Sequence, residues 1–311
     1  MLNIKQARLR RSVLAVPGSN PKFMEKAAKS NADEVFLDLE DACAPKDKEA
    51  SRAKIVEALK THDWGNKVRV VRINNVRTKL AYRDIIEVVE GGGQYIDVLM
   101  IPKINSPDEV RFVDRLLTQI EEYKGIPHRI GIEPQIETTE GLACVEEIAR
   151  ASNRLETLVW GPADYAASAT MPLLSIGLHK FGYPGHIWHY PIARIVAAAK
   201  AAGLQAIDGP YAAIEDQEGF RESCRMAALL GCDGKWAIHP SQINPCNEIF
   251  TPTEEEVAKA KRIIKELSEA MEKEGRGAIA MDGEMQDAAS MLLAYNAVDR
   301  AELAKARAGG G

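Results

Sequence analysis

Four short apolar runs end in carboxylates: Leu37-Asp38-Leu39-Glu40-Asp41, Glu133-Pro134-Gln135-Ile136-Glu137-Thr138, Trp160-Gly161-Pro162-Ala163-Asp164 and Ile207-Asp208-Gly209. A fifth run, Val70-Val71-Arg72-Ile73-Asn74, carries an arginine in the same layout. On a strand, successive side chains alternate between faces, so Glu133, Gln135 and Glu137 share one face and Ile132 and Ile136 take the other. Several acids converging at strand ends are costly in a dry core. A divalent cation removes that cost. Hard cations such as Mg2+ are commonly held by one or two carboxylates plus water and substrate oxygens, which makes Glu137 and Asp164 the candidate metal ligands. The competing reading is a salt bridge or, for Asp164, an N-cap on a helix beginning at Tyr165.

Glu40 and Asp41 sit one strand end away and could orient metal-bound water. Alternatively they form ion pairs with Arg72 or Lys48. An inward-pointing Arg72 needs partners. Beside a metal it could stabilise an enolate or polarise a carbonyl, and otherwise it pairs with Glu40. Pro17-Gly18-Ser19-Asn20-Pro21 follows the first run and opens a helix. Backbone N–H groups at such a turn suit phosphate, and Lys22, Lys26 and Lys29 add positive charge. Gly161-Pro162-Ala163 offers a similar turn for a carboxylate. His239 ends the last run, where it is either a base or a hydrogen-bonded structural residue. The loose spacing of His179, His186 and His189 does not support zinc, and no serine occupies a G-x-S-x-G elbow.

These residues are positioned by an alternation of apolar runs and amphipathic helices. Strands are expected at 12–16, 34–39, 68–73, 96–101, 129–136, 156–160, 204–208 and 235–239. Each is followed by a helical pattern, near 21–31, 47–60, 80–90, 107–122, 140–151, 187–202, 214–230 and 241–248. Eight βα units close naturally into a (β/α)8 TIM barrel, which carries its chemistry at the C-terminal ends of the strands, where the acids and Arg72 fall. An open doubly wound sheet would require a nucleotide fingerprint, and none occurs.

The barrel domain is expected to span 1–250 and a helical extension 251–311. In the extension, Thr251-Pro252-Thr253-Glu254 reads as a helix start. Val257, Ala260, Ile264, Leu267 and Met271 form an apolar stripe. A hinge-like Glu274-Gly275-Arg276-Gly277 precedes a second helix near 284–307, and the extension is either a packing appendage or a lid. Residues 308–311 are expected to be disordered. The aperiodic stretch 170–188 falls on the catalytic side and could shape a substrate pocket.

With 311 residues, 46% hydrophobic and 27% charged, the composition is that of a globular enzyme. A net charge of -5 argues against nucleic-acid binding. Five cysteines without a C-x-x-C pair support neither a disulfide framework nor a zinc site, and they are read as core. No apolar run reaches the length of a membrane span, so the chain is read as cytoplasmic with no membrane partner.

In combination, these segments resemble the HpcH/HpaI aldolase and citrate lyase beta-subunit superfamily, and within it the malyl-CoA lyases with their β-methylmalyl-CoA and citramalyl-CoA relatives. The matching motifs are LAVPGSNPKFMEKA, FLDLEDACAPKDKEASR, VVRIN, MIPKI, IETTEGL, WGPADYAAS, IDGPY, GKWAIHPSQI and GAIAMDGEMQDAAS, between about residues 10 and 300. The resemblance implies a TIM barrel that assembles as homotrimers or homohexamers. It also implies Mg2+, with Mn2+ as a substitute, and reversible retro-Claisen cleavage of a 3-hydroxy-3-carboxyacyl-CoA to glyoxylate or pyruvate plus acetyl-CoA or propionyl-CoA.

Position by position, the resemblance makes Glu137 and Asp164 the metal ligands, Arg72 the catalytic arginine, and Glu40 and Asp41 the acids near metal water. Lys26 and Pro17-Gly18-Ser19 fall in the CoA-receiving region. Asp287 becomes a catalytic acid/base on a C-terminal lid that covers a neighbouring subunit. Asn20 stands where many relatives carry an arginine, and 170–188 is shorter than the insert expected of malyl-CoA lyases. The alternatives are a malyl-CoA thioesterase on the same scaffold and a citrate-lyase-like beta subunit of a larger complex.

Overall fold

A computed structural model describes residues 8–176 and 186–308. Part of the 170–188 stretch, with His179, and residues 309–311 of the terminal expectation lie outside the described residues. Two compact units divide the chain: Arg10–Phe250, and Thr251 onward together with the residues just before Arg10.

The first unit runs β1 (Ser12–Pro17), α1 (Pro21–Ala28), β2 (Glu34–Asp38), α2 (Lys48–Thr61), β3 (Val68–Arg72), α3 (Ala81–Gly92), β4 (Val98–Ile101) and α4 (Pro107–Lys124). It continues with β5 (Gly131–Ile136), α5 (Thr139–Ala143), α6 (Val145–Ile148), β6 (Thr157–Trp160), α7 (Pro162–Ser168), α8 (His189–Ala201) and β7 (Gln205–Asp208). It ends with α9 (Gln217–Leu229), β8 (Gly234–Ala237) and α10 (Ile243–Ile249). The eight strands form one closed barrel, in which β1 pairs in parallel with both β2 and β8. This is the (β/α)8 barrel expected from the pattern. No helix among the described residues is long and apolar enough to cross a membrane.

Strand alternation divides the side chains between two environments. Phe36, Val70, Met100, Val159, Ile207 and Trp236 fill the barrel interior. Val35, Leu37, Ile132, Ile136 and Leu158 pack outward in the layer shared with the helices. Glu133, Gln135 and Glu137 therefore do share the inner face, but they lie at different depths. Glu133 sits at the end where the strands begin, beside Arg10. That guanidinium also meets Glu34 at 2.7 Å, Glu156 at 2.5 Å and the Gln205 amide oxygen at 2.7 Å. Glu133 thus belongs to a structural hub and not to the acids of the catalytic end, although the sequence places it in the same segment.

One cation against three buried carboxylates leaves charge uncompensated. Burial first, and then the neighbouring Glu34, hold the Glu133 carboxyl well above the usual range, and burial raises Glu34 as well. Such a group is more protonated in the folded than in the unfolded chain. Its stabilising effect is present below the ordinary glutamate pKa and is lost as pH rises through the folded value. Glu133→Gln should flatten the fall of melting temperature with rising pH and leave the pH 8 value at or above the parent's. Arg10→Met, which strands the carboxylates, should cost about 3–5 kcal/mol. Thermal melts from pH 5 to 9 check both, and an unchanged slope in Glu133→Gln would refute the account.

The second unit contains α11 (Glu254–Glu274), β9 (Ile279–Met281), β10 (Glu284–Gln286) and α12 (Ala288–Ala308). Its helix start lies two residues later than expected. The Thr253 hydroxyl accepts from the Glu256 N–H, and the Glu256 carboxylate accepts from the Thr253 N–H, forming a capping box. In the hinge-like stretch, Gly275 ends α11 at φ +66°, in the left-handed conformation that glycine adopts without a Cβ clash. Ala260, Ile263, Met281 and Ala294 form this unit's core, whereas Met271 from the expected stripe is 47% exposed.

Candidate active site

The inner face of β2 and β3 delivers the first part of the site. Asp38 and Arg72 are direct neighbours in register. Arg72 donates from Nε to Asp38 Oδ1 at 2.7 Å and from Nη2 to Oδ2 at 2.6 Å, a two-point fork that fixes the guanidinium plane. The remaining nitrogen reaches the Glu40 carboxylate at 3.2 Å and the Gln135 amide oxygen at 3.4 Å. The rings of Phe36 and Trp236 lie beneath it, each 5.4 Å from the guanidinium carbon. Asp38 opposes its own burial through Arg72 and through the N–H groups of Glu40 and Ala42. Together these hold its carboxyl below the usual range.

The expected pairing of Glu40 with Arg72 is present, but the main partner is Asp38, which the sequence reading did not single out. Lys48 is no counter-ion for the Glu40 or Asp41 carboxylate. Its ammonium donates to the carbonyls of Leu39 and Glu40 and to Asn74 Oδ1.

Glu137 and Asp164 come from the ends of β5 and β6. Gly161 makes the close approach possible, because a Cβ there would lie 2.4 Å from Glu137 Cβ and Oε2. Asp164 does not cap a helix. α7 begins earlier, at Pro162 with Gly161 as N-cap, so Asp164 stands in its first turn.

Lys103, in the loop after β4, ties the acids together and was missed as a site residue. Its N–H donates to Glu137 Oε1 at 2.7 Å. Its ammonium lies 2.6 Å from Glu40, 3.2 Å from Asp41 and 3.4 Å from Asp164. The backbone holds φ +54°, a conformation costing about 1–2 kcal/mol outside glycine. Arg77 secures it by donating to the Lys103 carbonyl at 2.8 Å.

Glu40, Asp41, Glu137 and Asp164 thus gather around one lysine and the edge of one arginine. Burial, then Glu40 and Asp164, push the Glu137 carboxyl up to about 8 against the pull of Arg72 and Lys103. Burial also raises Glu40. The excess of negative charge and the all-oxygen donor set fit a hard divalent cation. Among the described residues no set of three or more His, Cys, Asp or Glu side chains is arranged to hold an ion by itself. Two of these carboxylates, with water or substrate oxygens, could hold such an ion.

Other expected residues fall elsewhere. Pro17 ends β1, and Gly18 donates to the Asp38 carbonyl at 2.9 Å; a Cβ on Gly18 would meet that oxygen at 2.7 Å. The Asn20 side chain accepts from the N–H groups of Lys22 and Phe23, so amides that could bind phosphate at the start of α1 are already used. Positive charge there comes from exposed Lys22 and Lys26, with the Lys54 ammonium 3.1 Å from the Ser19 carbonyl, while Lys29 pairs with Glu25.

Asp208 shares the outward face of β7 with Ala206 and pairs with Lys235 at 2.5 Å, away from the barrel interior. A cavity of about 270 Å³ lies on that side, lined by Trp160, Trp188, Asp208, Tyr211, Met226 and Lys235. His239 accepts at Nδ1 from the Ser241 N–H and is a local cap. Four cysteines are buried and all five are free. In the second unit, Asp287 caps α12, accepting from the N–H groups of Ala289 at 2.9 Å and Ser290 at 3.2 Å.

The family model for HpcH/HpaI aldolase/citrate lyase matches residues 11–240. An L-malyl-CoA/beta-methylmalyl-CoA lyase from Rhodobacter capsulatus is 44% identical over 308 residues, covering 96% of both chains. A malyl-CoA/beta-methylmalyl-CoA/citramalyl-CoA lyase from Chloroflexus aurantiacus is 38% identical, covering 85% of this chain and 79% of its own. Among solved structures, CitE from Mycobacterium tuberculosis in complex with magnesium, acetoacetate and coenzyme A superimposes with a TM-score of 0.74. It is 30% identical and covers 94% of this chain and 97% of its own.

Proposed function

The chain belongs to the HpcH/HpaI aldolase/citrate lyase family, and from that premise we propose that it is a Mg2+-dependent acyl-CoA lyase. The substrate would be a 3-hydroxy-3-carboxyacyl-CoA such as malyl-CoA, β-methylmalyl-CoA or citramalyl-CoA. The observation that carries this reading is the cluster of Glu40, Asp41, Glu137 and Asp164 opposite Arg72 at the barrel mouth. The chain is similar to lyases over most of its length, and a structural neighbour holds magnesium and coenzyme A.

Glu137 and Asp164 would hold the metal, which when bound supplies a Lewis acid and a template for hydroxyl and carboxylate oxygens. The chain's own groups do the rest. As the hydroxyl proton passes to water, the bond between the hydroxyl-bearing carbon and the thioester α-carbon breaks, and its electron pair passes to the thioester as an enolate. Arg72, locked by Asp38, presents fixed positive charge to the oxygen on which negative charge builds. Asp287 delivers the proton to the α-carbon and takes it back in condensation. Gly161-Pro162-Ala163 would receive the substrate carboxylate. At the Pro17-Gly18-Ser19 turn, whose amides are largely used, Lys26 would receive the CoA phosphates.

Asp287 reaches a site, in this reading, as part of a lid over a neighbouring subunit. Met285, Leu292 and Leu293 support the idea, because all three are more than 60% exposed around Asp287 and α12, where a covering partner would bury them. A trimer or hexamer is the assembly proposed.

The test is incubation of the purified chain with Mg2+ and malyl-, β-methylmalyl- and citramalyl-CoA, with products identified by mass spectrometry. Glyoxylate or pyruvate with acetyl-CoA or propionyl-CoA is expected, and chelation should abolish it. Free hydroxy acid plus CoA would replace cleavage with thioester hydrolysis. Inactivity of the isolated chain would favour a subunit of a larger complex.

A further inference from the structure

We propose that Lys103 is a tethered cation that occupies the acid cluster of the metal-free enzyme, competes with the divalent ion for it, and is released when that ion binds. The inference rests on the assignment of Glu137 and Asp164 as ligands. Three observations carry it. First, the Lys103 ammonium stands within 3.4 Å of Glu40, Asp41 and Asp164, so it occupies the space in which their negative charge converges. Second, its backbone is held in a left-handed conformation between the Glu137 carboxylate, which accepts its N–H, and Arg77, which donates to its carbonyl. A strained residue fixed from both sides is over-determined by its surroundings, as positions with a functional constraint are. Third, its side chain is only partly buried, 22% exposed, so it already meets solvent.

Arg72 cannot fill this role. Its fork is committed to Asp38, and it rests on the adjacent rings of Phe36 and Trp236. Lys103 differs in kind: an ammonium on a flexible four-carbon stem is a point charge that can leave. Its presence offsets the repulsion among Glu40, Asp41 and Asp164 before metal arrives. Its departure makes room for a cation of twice the charge. Metal binding must also be weakened by having to displace this tethered charge, because two cations within a few ångströms repel even when well screened.

The experiment measures Mg2+ and Mn2+ affinity by isothermal titration, and melting temperature with and without Mg2+, for the parent, Lys103→Met, Lys103→Arg and Glu137→Gln. Lys103→Met should bind Mg2+ at least about tenfold more tightly, as expected on removing a like charge at this range. It should melt lower than the parent without metal and show the larger rise on metal addition. Lys103→Arg, which keeps the charge, should stay near the parent. Equal or weaker Mg2+ binding by Lys103→Met overturns the proposal, as does a Lys103→Arg variant that behaves like it.

A second readout needs no variant. Acylation of Lys103 by an amine-reactive reagent, followed by peptide mass spectrometry on the wild-type protein, should rise several-fold when Mg2+ is added. Unchanged labelling overturns the release step even if Lys103→Met fails to fold. Failure of the underlying ligand assignment looks different: Glu137→Gln would then bind Mg2+ as well as the parent.

Discussion

Glu137→Gln is expected to lose measurable Mg2+ binding and to lower carbon–carbon cleavage by about a thousandfold or more, equivalent to roughly 4 kcal/mol of barrier. The side chain keeps its shape and its contact with the Lys103 N–H, so the barrel should remain intact. Stability separates this outcome from simple misfolding. In the parent, burial and the neighbouring Glu40 and Asp164 carboxylates push the Glu137 carboxyl up to about 8. The folded chain therefore holds a proton there that the unfolded chain releases near the ordinary glutamate value. Stability from this group is present at low pH and is lost as pH rises through about 8. Without metal, the glutamine variant should consequently melt at or above the parent at pH 9 while being inactive.

The same proton must leave when metal binds. Titrating the parent with Mg2+ at pH 7 should release about one proton, and at pH 9 much less. Heats measured in buffers of different ionisation enthalpy report that number. A variant that melts normally but still cleaves substrate at the parent rate with Mg2+ would remove Glu137 from the site.

Much of this site was legible because strand alternation and the barrel rule act on local patterns. Ile132 and Ile136 against Glu133, Gln135 and Glu137 fixed an inner and an outer face, and the eight apolar runs implied closure. Depth along a strand is not local information. Glu133 looked equivalent to Glu137, yet two residues of rise on either side of Gln135 send one to Arg10 and the other to the mouth. Asp208 failed for a related reason: Ile207, not Asp208, holds the inward phase of β7, so the acid turns to Lys235.

Lys103 was hidden by its residue type, since a lone lysine after a strand is usually solvated. Its place at the end of β4 was nevertheless the same signal that drew attention to Arg72 at the end of β3. The hairpin β9–β10 was overlooked although Asp282-Gly283 advertises it. Both residues have positive φ, at +52° and +81°, and Met281 pairs with Glu284 across a two-residue turn. A helical period imposed from 284 onward absorbed β10, and α12 instead begins at Ala288.

Asp287→Asn should keep the fold and abolish most turnover. Asparagine is as good an N-cap as aspartate, so the bonds from the Ala289 and Ser290 N–H groups to this side chain survive the change. What disappears is a group able to give and take a proton, a contribution typically of about a hundred- to ten-thousandfold. Mg2+ affinity should be untouched, in contrast to Glu137→Gln.

The pair of inactive variants then asks where Asp287 acts. If it serves the barrel of a neighbouring subunit, a co-refolded equal mixture of Asp287→Asn and Glu137→Gln forms some sites from an intact barrel and an intact lid. Random assembly in a closed ring makes about a quarter of sites complete, so about a quarter of parental activity should return. If Asp287 serves its own chain, every site carries one lesion and the mixture stays inactive. An inactive mixture whose mixed oligomers are verified by native mass spectrometry would therefore eliminate the crossing lid, while full activity of Asp287→Asn alone would eliminate its proton.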